Sequence, residues 1–424
     1  MLGLDKYASR EIAYKRENAK ELNKTFTQLI ILRLTMLILI TSIYLIFSFV
    51  SEYKIYLLIQ TIYVIGYLLD ISWAYNGLEE FKTTALRSII VKLINIVAIF
   101  VFVKVPLDLC KYIAINAILV FLGNIILYPN IKKYLRLEKV SVKDVIKHIP
   151  MTLKLFIPQI AIQLYLQLGK IMIEAITGDA TQVAYYDQAD RIVKLPLALI
   201  TALSTVMLPR ISNEFKKNNQ EKVKEYINKS LEFVFFLGMP IMFGLIGVSD
   251  TLVPWLLGEE FIPVIITIQL LSPIVVALCI TNVIGDQYLM AVNNTKVLTM
   301  SYIVGVIMNF IINCILIPKY SYIGAAIAMV ITELCIITIQ IAKTRNIINI
   351  KIISKKVFKY IIASISMLLI VKLIKNINIS IILITFVQVF VGVGIYGIIL
   401  LILKDEFLLY LTSKIKAILG KDKR

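Results

Sequence analysis

Residues 29–50 read LIILRLTMLILITSIYLIFSFV, an apolar run that contains one charged side chain, Arg33. An α-helix needs about 20 apolar residues to cross the roughly 30 Å of hydrocarbon in a bilayer. Lipid offers no hydrogen-bond partner to a free backbone group, and the run is too long for a strand of a membrane barrel. This stretch therefore predicts a transmembrane helix.

Similar apolar runs follow along the rest of the chain. We predict about twelve membrane-spanning helices, at residues 29–50, 55–75, 88–107, 109–129, 151–173, 184–208, 230–249, 263–283, 297–317, 322–342, 360–375 and 381–403. The composition agrees, because 59% of the 424 residues are hydrophobic, whereas a soluble domain is about half apolar. The predicted fold class is all-α, a polytopic bundle of transmembrane helices.

Positive charge lies on alternate connections between the predicted spans. Of the 45 Lys and Arg residues, 35 lie in residues 1–28 and in every second connection that follows, and 6 lie in the connections on the other side. Loops rich in Lys and Arg face the cytoplasm, so both termini of this chain should be cytoplasmic. The net charge of +18 then sets topology and meets anionic lipid headgroups. No basic soluble domain exists to bind nucleic acid, which is excluded as a partner.

Two long basic connections divide the chain. Residues 130–150 separate four predicted spans from the next six, and residues 343–359 separate those six from a final pair. The predicted organisation is a cytoplasmic lead segment, a group of four spans, a group of six, and an additional helix pair with a cytoplasmic tail, at residues 1–28, 29–150, 151–342 and 343–424.

Three predicted spans carry polar side chains along one face. At about 100° per residue, the polar positions of 151–173 and its end cover an arc of roughly 80°; they are Gln159, Gln163, Gln167, Lys170 and Glu174. A second face in 184–208 covers roughly 100° and includes Asp187, Asp190, Arg191 and Lys194, and a third in 55–75 ends at Asp70. A charge at mid-membrane costs roughly 2.5–3.5 kcal/mol. We therefore expect the three faces to meet in one wet chamber.

Several of these residues also have a structural interpretation. Lys170 and Glu174, like Asp187 and Arg191, are four residues apart, which is the spacing of an ion pair within one helix. That interpretation leaves the run of glutamines unexplained. Arg33 can extend its guanidinium to the cytoplasmic headgroups, which is the favoured interpretation for it.

Single residues carry simpler expectations. Prolines inside four predicted spans predict kinks that are either static or hinges. Asn309 and Asn313 should hydrogen-bond a neighbouring helix, and Trp73 and Trp255 lie near span ends, which is typical of the aromatic belt. The single histidine, His148, lies in a basic connection and should be solvated.

Motifs of catalysis are missing from the sequence. It has no phosphate-binding loop, HExxH, GxSxG or Rossmann motif, which argues against an enzyme and against ATP-driven transport. The four cysteines have no CxxC spacing and no nearby histidine, so we expect neither a metal site nor a cofactor.

Five segments resemble those of a known family, and their order and spacing match it over nearly the whole chain. They are WAYNGLEEF at 73–81, AYYDQADR at 184–191, LPRIS at 208–212, LGEEF at 257–261 and YIGAAIA at 322–328, which leads to Glu333. The family is that of the bacterial polysaccharide flippases, the Wzx-type O-antigen and capsule repeat-unit exporters of the multidrug/oligosaccharidyl-lipid/polysaccharide exporter superfamily.

The resemblance implies two helical lobes around a central cavity and a flippase in the cytoplasmic (inner) membrane. Its substrate would be an undecaprenyl-diphosphate-linked oligosaccharide for surface polysaccharide synthesis, with membrane lipids, a polysaccharide polymerase and a chain-length regulator as partners. Lys170, Arg191 and Lys194 could hold the diphosphate, with Arg33 as a further candidate. Gln159, Gln163 and Gln167 could meet sugar hydroxyls, and four acids could couple the cycle to an ion: Asp187, Asp190, Glu174 and Asp70.

The sequence departs from the family pattern at two places. Residues 3–12 resemble the segment that normally follows the second helix, so the chain should lack the first two of fourteen helices and have an incomplete N-lobe. Gly169 stands where relatives often carry an acid before the lysine.

Other functions remain open. They are a peptidoglycan-precursor flippase or a drug/cation antiporter of the same superfamily, an integral-membrane glycan polymerase, and an inactive truncated remnant. A polymerase would need a large external loop, and every predicted external loop here is short.

Overall fold

The computed structural model describes residues 4–292, 294–348, 350–375, 377 and 380–409. In this part of the chain every regular element is a helix, as the sequence predicts. The α-helices in chain order are α1 Leu4–Lys15, α2 Ala19–Val50, α3 Lys54–Leu68, α4 Ser72–Gly77, α5 Phe81–Phe102, α6 Leu109–Ile125, α7 Leu127–Ile131, α8 Val142–Ile146, α9 Ile149–Thr177, α10 Ala180–Lys194, α11 Leu197–Lys216, α12 Gln220–Leu257, α13 Val264–Leu271, α14 Pro273–Thr281, α15 Thr295–Thr344, α16 Ile350–Ile374 and α17 Ile381–Ile402. A π-helical segment, Asn282–Leu289, follows α14.

Among the described residues, nine helices are long and apolar enough to cross a membrane. One of them, Lys296–Thr344, contains two predicted spans. The backbone between those spans turns at Ser321 (φ 49°), and a Cβ on Gly324 would lie 2.5 Å from the carbonyl oxygen of Leu316. The predicted spans 151–173 and 184–208 fall on α9 and on α10 with α11, the helices that carry polar faces. The all-α transmembrane bundle is confirmed.

Two of the predicted kinks are breaks between helices. Pro196 lies between α10 and α11, and Pro273 begins α14 directly after α13. Pro240 lies inside α12. These breaks follow from the missing backbone N–H of proline and from the clash of its ring with the preceding turn. A hinge role for any of them stays a prediction.

The chain folds as two compact units, residues 1–160 and 161–424, which we call the N-terminal and the C-terminal unit. The boundary lies inside α9. The predicted boundaries at residues 28, 150 and 342 stay predictions, as do the incomplete N-lobe and the central cavity.

The N-terminal unit has its core where α1, α2, α4 and α7 meet. Ile12, Leu29, Ile71 and Tyr75 are fully buried there. Trp73 belongs to this core and packs on Phe26, so its assignment to an aromatic belt is wrong. By contrast α5 buries none of its residues, and its surface, apolar over most of its second half, suits contact with lipid.

His148 is a core residue of the N-terminal unit, so the expectation that it is solvated is wrong. Its side chain is 2% exposed. The Tyr7 hydroxyl lies 2.6 Å from Nδ1, and Oε1 of Gln28 lies 2.8 Å from Nε2. A neutral ring that accepts from Tyr7 and donates to Gln28 satisfies all three groups. This cluster ties α1 and α2 to the start of α9.

In its described residues the C-terminal unit contains three apolar clusters and a polar contact that the sequence predicts. Asn313 Nδ2 donates to Asn309 Oδ1 at 2.8 Å, and Asn309 Nδ2 donates to Thr332 Oγ1 at 3.2 Å. Thr332 lies beyond the turn at Ser321, so the asparagines do bond a neighbouring helical segment, as predicted. Trp255 donates from Nε1 to Thr385 Oγ1 and joins α12 to α17.

Candidate functional site

A network of five charged side chains joins α9 to α10 in the C-terminal unit. Lys170 Nζ on α9 lies 2.6 Å from Asp187 Oδ1 and 3.3 Å from Asp190 Oδ2 on α10. Arg191 Nε contacts Asp187 Oδ2 at 2.7 Å, and Lys194 Nζ contacts Asp190 Oδ1 at 2.6 Å. Each carboxylate is therefore shared by two cations.

The sequence of α10 dictates this arrangement. Residues four apart on a helix are neighbours on its surface, so Asp187 with Arg191 and Asp190 with Lys194 form two staggered pairs. Arg191 and Lys194 also occupy the last turn, where positive charge interacts favourably with the helix dipole. At the other end Asp179 caps the helix by accepting from the Thr181 N–H at 2.8 Å.

Packing between α9 and α10 brings Lys170 to the two carboxylates. Tyr186 is buried on α10 and its ring lies over Gly169, where a Cβ would stand 3.5 Å from the ring. A longer acid at residue 169 would have to displace this ring. Gly169, where the sequence departs from the family pattern, thus leaves the space that the Tyr186 ring occupies, immediately beside Lys170.

The network has excess positive charge on an accessible side. Its three cations face two carboxylates. Asp190 is nearly buried, with 8% of its side chain exposed, and Lys170 is 17% exposed. Arg191 is 67% exposed and reaches Asp187 through Nε. A guanidinium that is held through Nε in this way can donate from the N–H groups of its two terminal nitrogens, Nη1 and Nη2, to an anion.

The structure tests the structural interpretation of these pairs. The i,i+4 pair of Asp187 with Arg191 is present. Lys170, however, pairs across to α10, whereas the side chain of Glu174 is exposed and belongs to no ion pair among the described residues. The interpretation of Lys170 and Glu174 as an intrahelical pair is wrong. Glu174 is also absent from the five-residue network.

The predicted glutamine face is described only at its end. Gln167 is exposed on α9. The side chains of Gln159 and Gln163 lie outside the described residues. Their role toward sugar hydroxyls stays a prediction.

Arg33 is a buried structural residue, so the snorkelling interpretation is wrong. It is 2% exposed. Its Nε and Nη2 donate to the carbonyls of Leu68 and Tyr67 at 2.6 and 3.2 Å, and Nη1 contacts Asp5 at 2.5 Å. The last carbonyls of a helix have no partner within it, and Arg33 supplies one to the end of α3.

Asp70 is likewise held by its neighbours in the N-terminal unit. Its Oδ1 accepts from the backbone N–H of Ser72 at 2.8 Å and from the Ser72 hydroxyl, and Arg87 Nη2 lies 3.6 Å away. Sequence reasoning missed Arg87 and Asp5 as partners. Both stand in charged connections, and no spacing marks which loop charge turns inward. A chamber shared by the polar faces of both units stays a prediction.

These features define a class. An all-helical bundle with long apolar helices and a partly buried, cation-rich network is typical of multi-pass membrane transporters. The structure of a protein called "Lipid II flippase MurJ, inward closed conformation" has the same fold: the TM-score is 0.76 at 20% identity, over 96% of this chain and 90% of that one.

Sequence comparison gives the family. The sequence profile described as "Polysaccharide biosynthesis protein" matches residues 1–215, and that of MatE matches residues 155–315. The chain belongs to the polysaccharide biosynthesis protein family.

Two relatives match most of the chain. A "Putative O-antigen transporter" of Shigella dysenteriae is 24% identical over 342 residues, which is 79% of this chain and 84% of the relative. A protein of the same name from Escherichia coli (strain K12) is 25% identical over 351 residues, or 81% and 84%. The predicted resemblance to polysaccharide exporters is confirmed.

Proposed function

We propose that this protein is a flippase that moves undecaprenyl-diphosphate-linked oligosaccharide repeat units across the cytoplasmic membrane for surface polysaccharide synthesis. Family membership and the relatives named O-antigen transporter support the substrate class. The observation that carries the proposal is the net-positive network of α9 and α10 with its exposed Arg191. It is a transporter and not an enzyme in this proposal, and both termini face the cytoplasm.

The diphosphate is the part of this substrate that resists membrane passage. A charge in the bilayer centre costs several kcal/mol unless protein or water compensates it. Hydrogen bonds from Arg and Lys to phosphate oxygens are short and charge-assisted. Arg191 supplies the outer N–H groups and is fixed by Asp187. Lys170 links Asp187 to Asp190, which Lys194 also holds.

Asp187 and Asp190 have a second role in the proposal. Each accepts from two cations, so protonation or an incoming cation at either carboxylate would release a lysine or Arg191 from its partner. If the ion pairs within the network change in this way, the network can alternate between binding and releasing an anion. Glu174 and Asp70 are weaker coupling candidates, because Glu174 stands outside the network and Asp70 is engaged by Ser72 and Arg87.

Complementation of a host strain that lacks the gene tests the proposal. Lys170→Ala and Arg191→Ala should abolish surface polysaccharide while the amount of membrane-inserted protein stays at the wild-type level. Arg16→Ala is the matched control, because Arg16 forms an exposed pair with Glu79 in the N-terminal unit, and it should restore the polymer fully. Normal polymer from both network variants would refute the cationic site.

A further inference from the structure

A polar cleft lies inside the N-terminal unit, between α1 and α4. Its volume is about 520 Å³, within the range of small-molecule sites. The two helices approach closely at Gly77, where a Cβ would stand 2.6 Å from the carbonyl oxygen of Ser9. This contact fixes the two walls of the cleft against each other. The residues that matter for its chemistry are Asp5, Ser9, Arg10, Asp70, Trp73 and Asn76.

The two carboxylates that line the cleft, Asp5 and Asp70, are held in place by neighbouring side chains. Arg33 binds Asp5, and Ser72 and Arg87 bind Asp70. In the described part of the chain these contacts all go through Oδ1 of the two carboxylates. Each carboxylate has two oxygens that accept, so both side chains can take a further donor.

Two residues that line the cleft carry donor atoms that are buried and have no acceptor among the described residues. Trp73 is 3% exposed, and its Nε1–H is such a donor. Nε of Arg10 is the other, and the guanidinium of Arg10 lies over the ring of Tyr7 at 5.6 Å. Buried donors are nearly always hydrogen-bonded in folded proteins, so these groups point to a ligand that carries acceptors.

The mixture of groups selects the ligand chemistry. A phosphate or another anion would meet Arg10 but would bring no donor to the free oxygens of Asp5 and Asp70, which only accept. A hydroxyl group both donates and accepts. A polyhydroxylated ring can therefore donate to Asp5 and Asp70 and accept from Arg10 at the same time.

We infer that this cleft binds a sugar residue of the lipid-linked oligosaccharide. The inference rests on the proposed function and adds a second contact to it, in the N-terminal unit. The helices that form the cleft belong to, or adjoin, the connections 1–28 and 76–92, which the charge pattern assigns to the cytoplasm. The cleft would thus hold the glycan on the side where it is made, before translocation.

The protein's own tryptophans allow a direct test. The sequence contains two, so Trp255→Phe leaves Trp73 as the single tryptophan, which excitation at the red edge of the absorption band selects over the tyrosines. Trp255 contacts Thr385 in the C-terminal unit, and its replacement does not touch the cleft. Methyl glycosides of hexoses and N-acetylhexosamines, and the oligosaccharide released by mild acid from the accumulated lipid-linked intermediate, serve as probes. At least one should shift Trp73 emission saturably, with a Kd on the order of 1 mM.

Variants and an anion control decide what the shift means. Asn76→Ala, at an exposed position of α4, should weaken sugar binding at least about fivefold, and Ser9→Ala should weaken it as well. Inorganic diphosphate should leave the emission unchanged. A cleft that responds to diphosphate as it does to sugar, or to no probe at all, would overturn the inference.

Failure of this inference and failure of the proposed function give different results. If the protein restores surface polysaccharide but Trp73 ignores every sugar probe, the cleft assignment is wrong and the flippase stands. If the strain that lacks the gene makes normal polymer and accumulates no lipid-linked intermediate, the flippase is wrong, and the cleft loses the substrate on which it rests.

Discussion

The ion pairs of Arg33 and Arg87 in the N-terminal unit differ from the network of α9 and α10 in the C-terminal unit. In the N-terminal unit Arg33 and Arg87 match Asp5 and Asp70 one to one, and Arg33 also caps α3. In the C-terminal unit three cations share two carboxylates, and the guanidinium of Arg191 remains two-thirds exposed. Charges that are balanced one to one hold helices together, whereas an exposed excess of charge can bind a ligand. The composition of a polar face therefore does not reveal its role until its partners are known.

The largest expected difference between the two units is the loss of stability when one cation is removed from each. Arg33→Ala would leave the Leu68 carbonyl of α3 without its buried donor and the partly exposed Asp5 without its partner, and should lower the free energy of unfolding by about 3 kcal/mol. Lys170→Ala leaves Asp187 with Arg191 and Asp190 with Lys194, so it should cost about half as much. Thermal unfolding of purified protein in detergent measures both.

For transport by the protein that remains in the membrane, the same two variants should rank in the opposite order. Lys170→Ala should lose transport while the protein persists in the membrane, and Arg33→Ala should lose the protein itself. Arg33→Lys serves as a control that keeps the charge and recovers part of the stability. Equal stability losses at residues 33 and 170 would remove the contrast between the units.

The next largest expected effect on stability comes from replacing one glycine in each unit by alanine. A Cβ on Gly66 would stand 2.6 Å from the Cα of Phe121, so Gly66→Ala must push α3 and α6 apart and should cost about 1–3 kcal/mol. A Cβ on Gly169 meets the Tyr186 ring at an ordinary 3.5 Å. Gly169→Ala should be neutral or stabilise by up to about 1 kcal/mol, because alanine favours helix. The same unfolding measurement applies, and a large loss at residue 169 would show that Tyr186 cannot adjust.

The smallest effect is a pH dependence of the N-terminal unit. Burial, with Lys147 and Lys15 nearby, lowers the pKa of His148 below its ordinary value of 6.5. The unfolded chain then binds more protons than the folded one below pH 6.5, so stability should fall as the pH drops from about 7 toward the lowered pKa. Since His148 is the single histidine, His148→Gln should flatten unfolding midpoints between pH 5 and about 7. An equal slope in that variant would assign the dependence to another group.

The sequence predicts the scaffold well and the charge partners poorly. Apolar runs and loop charge locate the helices, because lipid enforces both rules along the chain itself. The i,i+4 pairs of α10 were also predictable, since both partners lie on one helix. The contacts of Lys170 with α10, of Arg33 with α3 and of Asp70 with Arg87 join separate elements. Such contacts depend on how the helices pack, here on Tyr186 over Gly169 and on α1 against α4. The periodicity of the sequence does not reveal this packing.

The most direct test is the affinity of the purified protein for undecaprenyl diphosphate, measured for wild type, Arg191→Gln and Arg16→Gln. Loss of a charge-assisted hydrogen bond is worth about 1.5–3 kcal/mol, so Arg191→Gln should weaken binding about 10- to 100-fold. Arg16→Gln, which removes an exposed arginine from the N-terminal unit, should change it less than about twofold. Affinity that is unchanged in Arg191→Gln, or lowered equally in both variants, would contradict a specific anion site on α10.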